Sequence, residues 1–190
     1  MNVIKYLLLL VLTVFIFGCG ASVPTTPLEY SAADDEEDVR VSKRQDKSCL
    51  VLVRNISDKR YNKKRFSQYS EYKKFAESVP DWVKGGLKSL KQSGYNIQDF
   101  NNDIAKYSSV ILDVDIYKAY VNHVHTAKSA NLALKITFSD QSQQLKSKVF
   151  RSNDSSINWS SSEDEMRTTM NEVLSKVLLK LEAELNQICA

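Results

Sequence analysis

The chain has 190 residues, and its 26 Lys and Arg against 23 Asp and Glu give a formal net charge of +3. This near balance argues against a strong polyanion such as nucleic acid as the partner, and the length suits one domain plus an attached segment. No Gly-rich phosphate loop, nucleophile elbow or CxxC pair occurs, so we expect no enzyme, no cofactor and no metal.

The N-terminal residues 6–17 are almost wholly apolar. A run of about a dozen residues is too short to span a bilayer, which takes about 20, but it suits the core of an export signal. The following Ile16-Phe17-Gly18-Cys19 resembles the lipobox of bacterial lipoproteins. The resemblance implies that residues 1–18 are a lipoprotein signal peptide and that Cys19 is acylated. An uncleaved anchor or a plain secretory signal is the alternative.

Residues 19–48 contain few large apolar side chains and an acidic run at 34–38. Such a composition buries too little surface to offset the entropy of ordering the backbone. We therefore expect a flexible tether, with a root-mean-square span of roughly 25–30 Å as a random coil. A short strand at residues 39–41 is the alternative. A single α+β periplasmic domain should follow over residues 49–190.

The folded domain begins with residues 49–53, which are apolar on both faces and predict a central strand covered from two sides. A polar turn follows, and residues 61–72 predict a loop or a short irregular helix. Pro80 is suited to the first turn of a helix, and Gly94 to its C-cap. The pair Gly85-Gly86 inside this helix indicates close backbone packing, although a poor helix is the alternative reading.

Three segments then alternate apolar and polar residues, at 110–117, 132–138 and 145–151, which predicts an antiparallel meander with one wet face. A further short strand at 95–97 is an option. The capping box that opens at Ser162 starts a long amphipathic helix. The order β-α-β-β-β-α predicts an α+β fold, with an antiparallel or mixed sheet of about four strands and two helices packed on one face.

Two cysteines remain beside the lipobox, Cys49 and Cys189. An exported protein occupies an oxidising compartment in which thiols pair, so we expect a disulfide between them. It would close a loop of about 140 residues and stabilise the fold by at most about 4–5 kcal/mol. Two free thiols are the alternative.

Two pairs of polar residues could carry chemistry. His123 and His125 share a strand face, but a zinc site needs three or four ligands and the chain has only two histidines. We therefore expect no metal, and a wet strand end or hairpin turn instead. Asp113 and Asp115 are a similar pair, for which a salt-bridged solvated face is favoured over an acid–base dyad. Their candidate partners are Lys118, Lys128 and Lys135.

The densest cationic stretch lies at residues 59–66, where basic and aromatic side chains interleave. An exported lipoprotein meets phosphate-bearing lipid headgroups and lipopolysaccharide, to which Arg and Lys bind well. We therefore expect this loop to bind an anionic ligand, with a merely solvated loop as the alternative. The candidate ligand-binding residues are Lys59, Arg60, Lys63, Lys64 and Arg65.

Several short sequence segments resemble known lipoproteins. The lipobox, Asp58-Lys59-Arg60, Leu90-Lys91-Gln92-Ser93-Gly94-Tyr95 and the hairpin from Tyr117-Lys118-Ala119-Tyr120-Val121 to Phe138 resemble the YajG-type family of small bacterial lipoproteins. The element order also resembles the auxiliary lipoproteins of lipid-trafficking ABC transporters. Lys148-Val149-Phe150-Arg151-Ser152 is similar to a segment of the lipoprotein that plugs the lipopolysaccharide translocon. These resemblances imply no catalytic centre.

The leading hypothesis is a non-enzymatic lipoprotein that acts as an accessory or scaffold in cell-envelope assembly or transport. It would face the periplasm from the outer membrane of a Gram-negative host, with the lipid bilayer as a partner through acylated Cys19. A sheet edge or the cationic loop would engage an envelope protein. The alternative is a lipid- or small-ligand-binding lipoprotein with a pocket between helices and sheet. A hydrolase that uses His123 or His125 is a distant third.

Overall fold

The computed structural model describes residues 26–31, 49–67, 73–103, 109–124, 127–141, 143–157 and 162–189. The predicted signal peptide, the predicted acylation site Cys19 and the alternative strand at 39–41 lie outside these residues. Among the described residues, neither helix combines the length and the apolar composition that crossing a bilayer requires. The elements in chain order are β1 (Leu50–Asp58), α1 (Lys73–Ser89), β2 (Asn96–Asp99), β3 (Ser109–Val124), β4 (Ala127–Ser139), β5 (Gln144–Ile157) and α2 (Glu163–Ile188).

The described strands form one mixed sheet in the order β2-β1-β3-β4-β5. β1 runs parallel to both β2 and β3, whereas β3, β4 and β5 form the expected antiparallel meander. The predicted α+β fold is therefore confirmed, with five strands in place of about four. The additional strand is β2, close to the optional strand at residues 95–97.

Both helices pack on the same face of the sheet, as predicted, and the core lies between the two layers. Alternate residues of β1, β3 and β4 contribute to this core, β2 adds Ile97 and β5 adds Phe150. Leu52 and Ile111 form a small second cluster on the opposite face. The helices approach each other closely at Gly86, where a Cβ would lie 2.7 Å from the Leu174 side chain. The close packing predicted for the glycine pair is therefore confirmed at Gly86.

Helix α1 begins at Lys73 and contains Pro80, so the predicted start at Pro80 is wrong. Proline has no N–H to donate to the carbonyl four residues earlier, which normally breaks a helix. Here the Arg60 guanidinium donates to that carbonyl, Ala76 O, over 2.6 Å. The side chain from another element therefore satisfies the acceptor that Pro80 leaves open. The turn after the helix reaches Gly94, whose φ of 92° fits the predicted glycine stop.

Strand β3 is longer than predicted because a bulge lets it continue past residue 117. Its pairing with β4 shifts register between Ile116 and Lys118. The β3 side chains in the main core have even numbers up to Ile116 and odd numbers at Ala119 and Val121. The second half of β3 therefore turns a different set of residues towards the core.

The structure contains the Cys49–Cys189 disulfide, with the two Cα atoms 5.8 Å apart. It joins the start of β1 to the C-terminus of α2 and so marks one end of the body. The opposite end of α2 begins at Ser162, whose hydroxyl accepts the Glu165 N–H as the capping pattern predicted. The 26 residues of α2, at about 1.5 Å each, separate these ends by about 39 Å.

Residues 26–31, here called the N-terminal strap, pack against the two helices. Leu28 is 1 % exposed and belongs to the main core. Its N–H donates to Ser78 Oγ over 2.7 Å, and the Tyr30 hydroxyl lies 3.0 Å from Ser175 Oγ. These six residues fall inside the segment 19–48 that was expected to be a flexible tether, so the packed body begins upstream of residue 49.

Candidate functional site

The cationic loop leaves the sheet and returns to it farther along β3. The ladder between β1 and β3 ends at the pair of Asp58 and Ile116. The loop comes back where the Val121 N–H donates to Phe66 O over 2.8 Å. Phe66 is buried edge-to-face on Phe75, with ring centroids 5.4 Å apart. Since the loop is fixed at both ends, a gap opens between it and the middle of β3.

That gap is a groove of about 340 Å³. Its described lining includes the tyrosines Tyr61, Tyr117 and Tyr120 and the cations Arg65 and Lys118, but no carboxylate, cysteine or histidine. Tyr61 is fully exposed at the loop, and Tyr117 is about half exposed. The groove therefore offers aromatic surface and positive charge together, a combination suited to a ligand that carries both an anionic group and an apolar part.

Arg60 lines the groove but makes its contacts within the fold, so its assignment as an anion ligand stays a prediction. Its side chain is 4 % exposed, and its Nε and Nη2 donate to the Asp58 carboxylate over 2.9 and 2.8 Å. The same guanidinium also donates to Ala76 O and to Ala119 O. Its charge and donors are thus committed to partners inside the fold. Burial alone would raise the pKa of Asp58, but the Arg60 hydrogen bonds outweigh it and hold that pKa below its usual value.

The other four predicted cations, Lys59, Lys63, Lys64 and Arg65, are exposed. Arg65 also donates from Nε to Ser67 O over 3.3 Å, which helps to close the loop. Lys63 and Lys64 lie in the turn of the loop, next to the exposed Tyr61. These four residues, joined by Lys118 of β3, stay candidates for contact with an anion.

His123 lies at the hairpin end of β3, opposite Lys128, as one of the two expectations had it, but it is buried rather than solvent-exposed. It is buried beside Lys128, which is itself 2 % exposed and pairs with Glu165 over 2.5 Å. Burial lowers the pKa of His123, Lys128 lowers it further, and Glu165 opposes both. His125 lies outside the described residues. Within the described part of the chain, no group of three or more His, Cys, Asp or Glu is placed to hold a metal ion.

The carboxylate pair on β3 belongs to a solvated ionic face. Asp113 accepts a hydrogen bond from Arg54 Nε over 3.0 Å, and the pair is partly exposed. Its partner is thus an arginine of β1 rather than one of the three lysines proposed from the sequence. Asp115 stands opposite Lys135 in the β3–β4 register, and Lys128 lies on the other face of the sheet.

Sequence reasoning missed the β3 wall of the groove, formed by Tyr117, Lys118 and Tyr120. The sequence did contain a sign of this wall, because the apolar positions of the strand switch from even to odd numbers after Ile116. Such a switch predicts a bulge, and bulges re-aim side chains. The groove also lies beside the edge where β1 parts from β3, rather than between helices and sheet where a ligand pocket was expected.

No family model matches the chain, and no curated protein matches it in sequence. A solved structure of a Xanthomonas campestris protein of the DUF330 family is similar, with a TM-score of 0.58, 14% identity, and coverage of 82% of this chain and 91% of that chain. At this identity the likeness extends to the fold alone.

Two further solved structures are similar at lower TM-scores. A minor lipoprotein of Acinetobacter baumannii matches with a TM-score of 0.43 and 10% identity, over 70% of this chain and 91% of that one. A lipoprotein of Neisseria meningitidis matches with a TM-score of 0.38 and 11% identity, over 74% and 98%. Scores below 0.5 carry no argument about function, and these names belong to those proteins.

Proposed function

We propose that the protein is a lipid-anchored, non-enzymatic component of the bacterial cell envelope, acting as an accessory or scaffold in envelope assembly or transport. Acyl chains on Cys19 hold it on the periplasmic side of the outer membrane of a Gram-negative host. Its groove engages an anionic envelope component. Membership of the YajG-type lipoproteins is part of this proposal and rests on the short sequence segments that resemble that family.

Two features outside the groove support export and anchoring. The sequence Ile16-Phe17-Gly18-Cys19 follows an apolar run of signal-peptide length. The Cys49–Cys189 disulfide is typical of proteins in an oxidising compartment and is uncommon in the cytosol. Two or three acyl chains would make the attachment effectively permanent, since one chain alone binds only reversibly.

The groove is the observation that carries the binding role. Its described lining combines exposed tyrosines with Arg65 and Lys118 and includes none of the carboxylate, cysteine or histidine groups that commonly perform covalent or acid–base chemistry. This composition supports recognition rather than catalysis. Arg60 supports the same role indirectly, because it fixes the base of the loop to β1, β3 and α1 at once.

The second candidate is a carrier or sensor of a lipid or small ligand. The volume of the groove, about 340 Å³, lies at the lower end of the range for small-molecule sites. This size favours a ligand with an acidic headgroup and limited apolar bulk.

The anchoring half of the proposal is tested in cells by a Cys19→Ser variant beside a Cys49→Ser variant as the control. We expect only Cys19→Ser to leave the membrane fraction and to lose the acyl mass on the N-terminal peptide of the purified protein. A Cys19→Ser protein that stays in the membrane fraction with an unchanged N-terminal peptide would contradict the proposal.

The binding half is tested by a photo-crosslinking amino acid at Tyr117, with the same probe at Lys91 as the control outside the groove. A discrete protein adduct from position 117 alone supports the scaffold role. An adduct from position 117 alone with the mass of a small ligand other than a bulk membrane phospholipid supports the second candidate. Equal adducts from both positions, or none from 117, count against any role for the groove.

A further inference from the structure

The N-terminal strap fixes the point at which the chain enters the body. Thr26 Oγ1 accepts from Arg167 Nη2 over 2.7 Å, and Pro27 O accepts from Arg167 Nη1 over 2.7 Å. Farther along, Asn171 Nδ2 donates to Ser31 Oγ over 2.9 Å. The strap therefore enters at the first turns of α2 and runs towards the C-terminal half of that helix, away from residues 20–25.

The entry point and the groove are at the same end of the molecule. Arg167, which binds the start of the strap, also lies over the Phe75 ring, with its guanidinium carbon 5.2 Å from the centroid. Phe75 packs on Phe66, and Phe66 is the residue that returns the cationic loop to Val121 of β3. A short series of contacts thus joins Thr26 to the wall of the groove, whereas the disulfide lies at the other end of α2.

The distance from the proposed anchor to this end is short. Only seven residues lead from Cys19 to Thr26, and a fully extended chain of that length reaches about 25 Å at most. Residues 32–48 lie beyond the strap and add nothing to this reach. On the random-coil scale used for the tether, seven residues span roughly 13–16 Å, against roughly 25–30 Å for a free tether over residues 19–48, so the body is attached closer to the membrane than that tether would place it.

The charges at this end are complementary to an anionic surface. Lys59, Lys63, Lys64, Arg65 and Lys118 are exposed around the loop and the groove. The carboxylates at the start of α2 largely have cationic partners in the fold: Glu163 pairs with Arg167, and Glu165 with Lys128. Asp164 is the exposed acidic residue of that turn.

Tyr61 adds an aromatic side chain to this surface. It is fully exposed and stands two residues before Lys63. Tyrosine is amphipathic and favours the headgroup region of a bilayer, where its ring is shielded and its hydroxyl stays hydrated.

We propose that the groove end is a membrane-docking face that lies on the phosphate-bearing headgroups of the bilayer to which the protein is anchored. This inference rests on the proposed function for the anchor, and it names anionic lipid headgroups as the class of partner for the cationic loop. The strap sets the orientation, because it makes the anchor leave from the cationic end. The lipid chains hold the protein at the bilayer, and the loop turns the groove towards the headgroups.

The test uses residues 20–190 without lipid, which contain all the described residues, so that binding depends on the face alone. Co-sedimentation is measured with vesicles of phosphatidylglycerol and phosphatidylethanolamine, and with vesicles of phosphatidylcholine alone. The test variant is Lys63→Glu/Lys64→Glu. Its matched control is Lys88→Glu/Lys91→Glu, which changes the net charge equally at the far end of α1. Equal urea midpoints for the parent and both variants verify that the fold is kept.

We expect the parent to bind the anionic vesicles only, and raising the salt to about 0.5 M to release it. Each basic residue near an anionic surface strengthens binding about fivefold, so the loop variant should lose at least about 20-fold. The control should bind as the parent does. A parent that ignores anionic vesicles, or equal losses in both variants, would overturn the inference. Neither result depends on Cys19, whose failure as an anchor is detected separately by the fractionation of Cys19→Ser.

Discussion

Truncation of Leu28 to alanine should measurably destabilise the protein, although residue 28 lies in a polar segment that looks unstructured in sequence. Leu28 is 1 % exposed and contacts the main core. Replacing a buried leucine with alanine commonly costs about 2–5 kcal/mol, and the cost is smallest where the surroundings can collapse. The strap lies at the periphery of the core, so we expect about 2–3 kcal/mol for Leu28→Ala.

The assay is urea unfolding of residues 20–190, followed by circular dichroism. With a slope near 2 kcal/mol per molar urea, the midpoint should fall by about 1 M at an unchanged slope. Glu29→Ala is the matched control, since Glu29 is exposed on the same strap and should stay within about 0.5 kcal/mol of the parent. Equal midpoints for Leu28→Ala and Glu29→Ala would show that the strap is not packed and does not orient the body on the membrane.

Three further outcomes follow from the same structure. Arg60→Leu should lower the free energy of unfolding by about 3 kcal/mol, because it leaves buried acceptors without their donor. Arg65→Leu, at the exposed rim of the groove, is the control and should lower it far less. Equal losses in the two variants would refute the structural role of Arg60. The folded protein holds the pKa of His123 below its unfolded value, so the unfolded chain takes up a proton first and stability should fall as the pH drops below about 6.5. His123→Gln should flatten this dependence, and an unchanged slope would exclude His123 as its source. Reduction of the Cys49–Cys189 bridge should lower the free energy of unfolding by up to about 4–5 kcal/mol, and a double serine variant should no longer respond to the reductant.

Much of the architecture was predictable because its signals are periodic and local. Strands β3, β4 and β5 show alternating apolar residues, and α2 shows a capped amphipathic pattern. Each pattern identifies the buried face of a single element. The two remaining cysteines could be paired once export was inferred, because they allowed a single intramolecular bridge. Predicting these elements required no information on tertiary contacts.

The parts that sequence reasoning missed depend on contacts between distant residues. Pro80 is typical of a helix start. That α1 continues past it is explained by the Arg60 guanidinium, which donates to Ala76 O. Leu28 is one apolar residue among polar neighbours, so its burial could not be inferred from composition. Arg60 looked equivalent to Lys63 in the sequence, although the fold buries Arg60 and exposes Lys63.

The orientation of the body on the bilayer is tested by hydrogen–deuterium exchange of the mature lipidated protein, residues 19–190, with anionic vesicles compared with detergent micelles. We expect slower exchange in vesicles over residues 59–67 and 117–122, and no change at the disulfide end around Cys49 and Cys189. Protection at the disulfide end with an unaffected groove, or no difference between vesicles and micelles, would contradict this orientation.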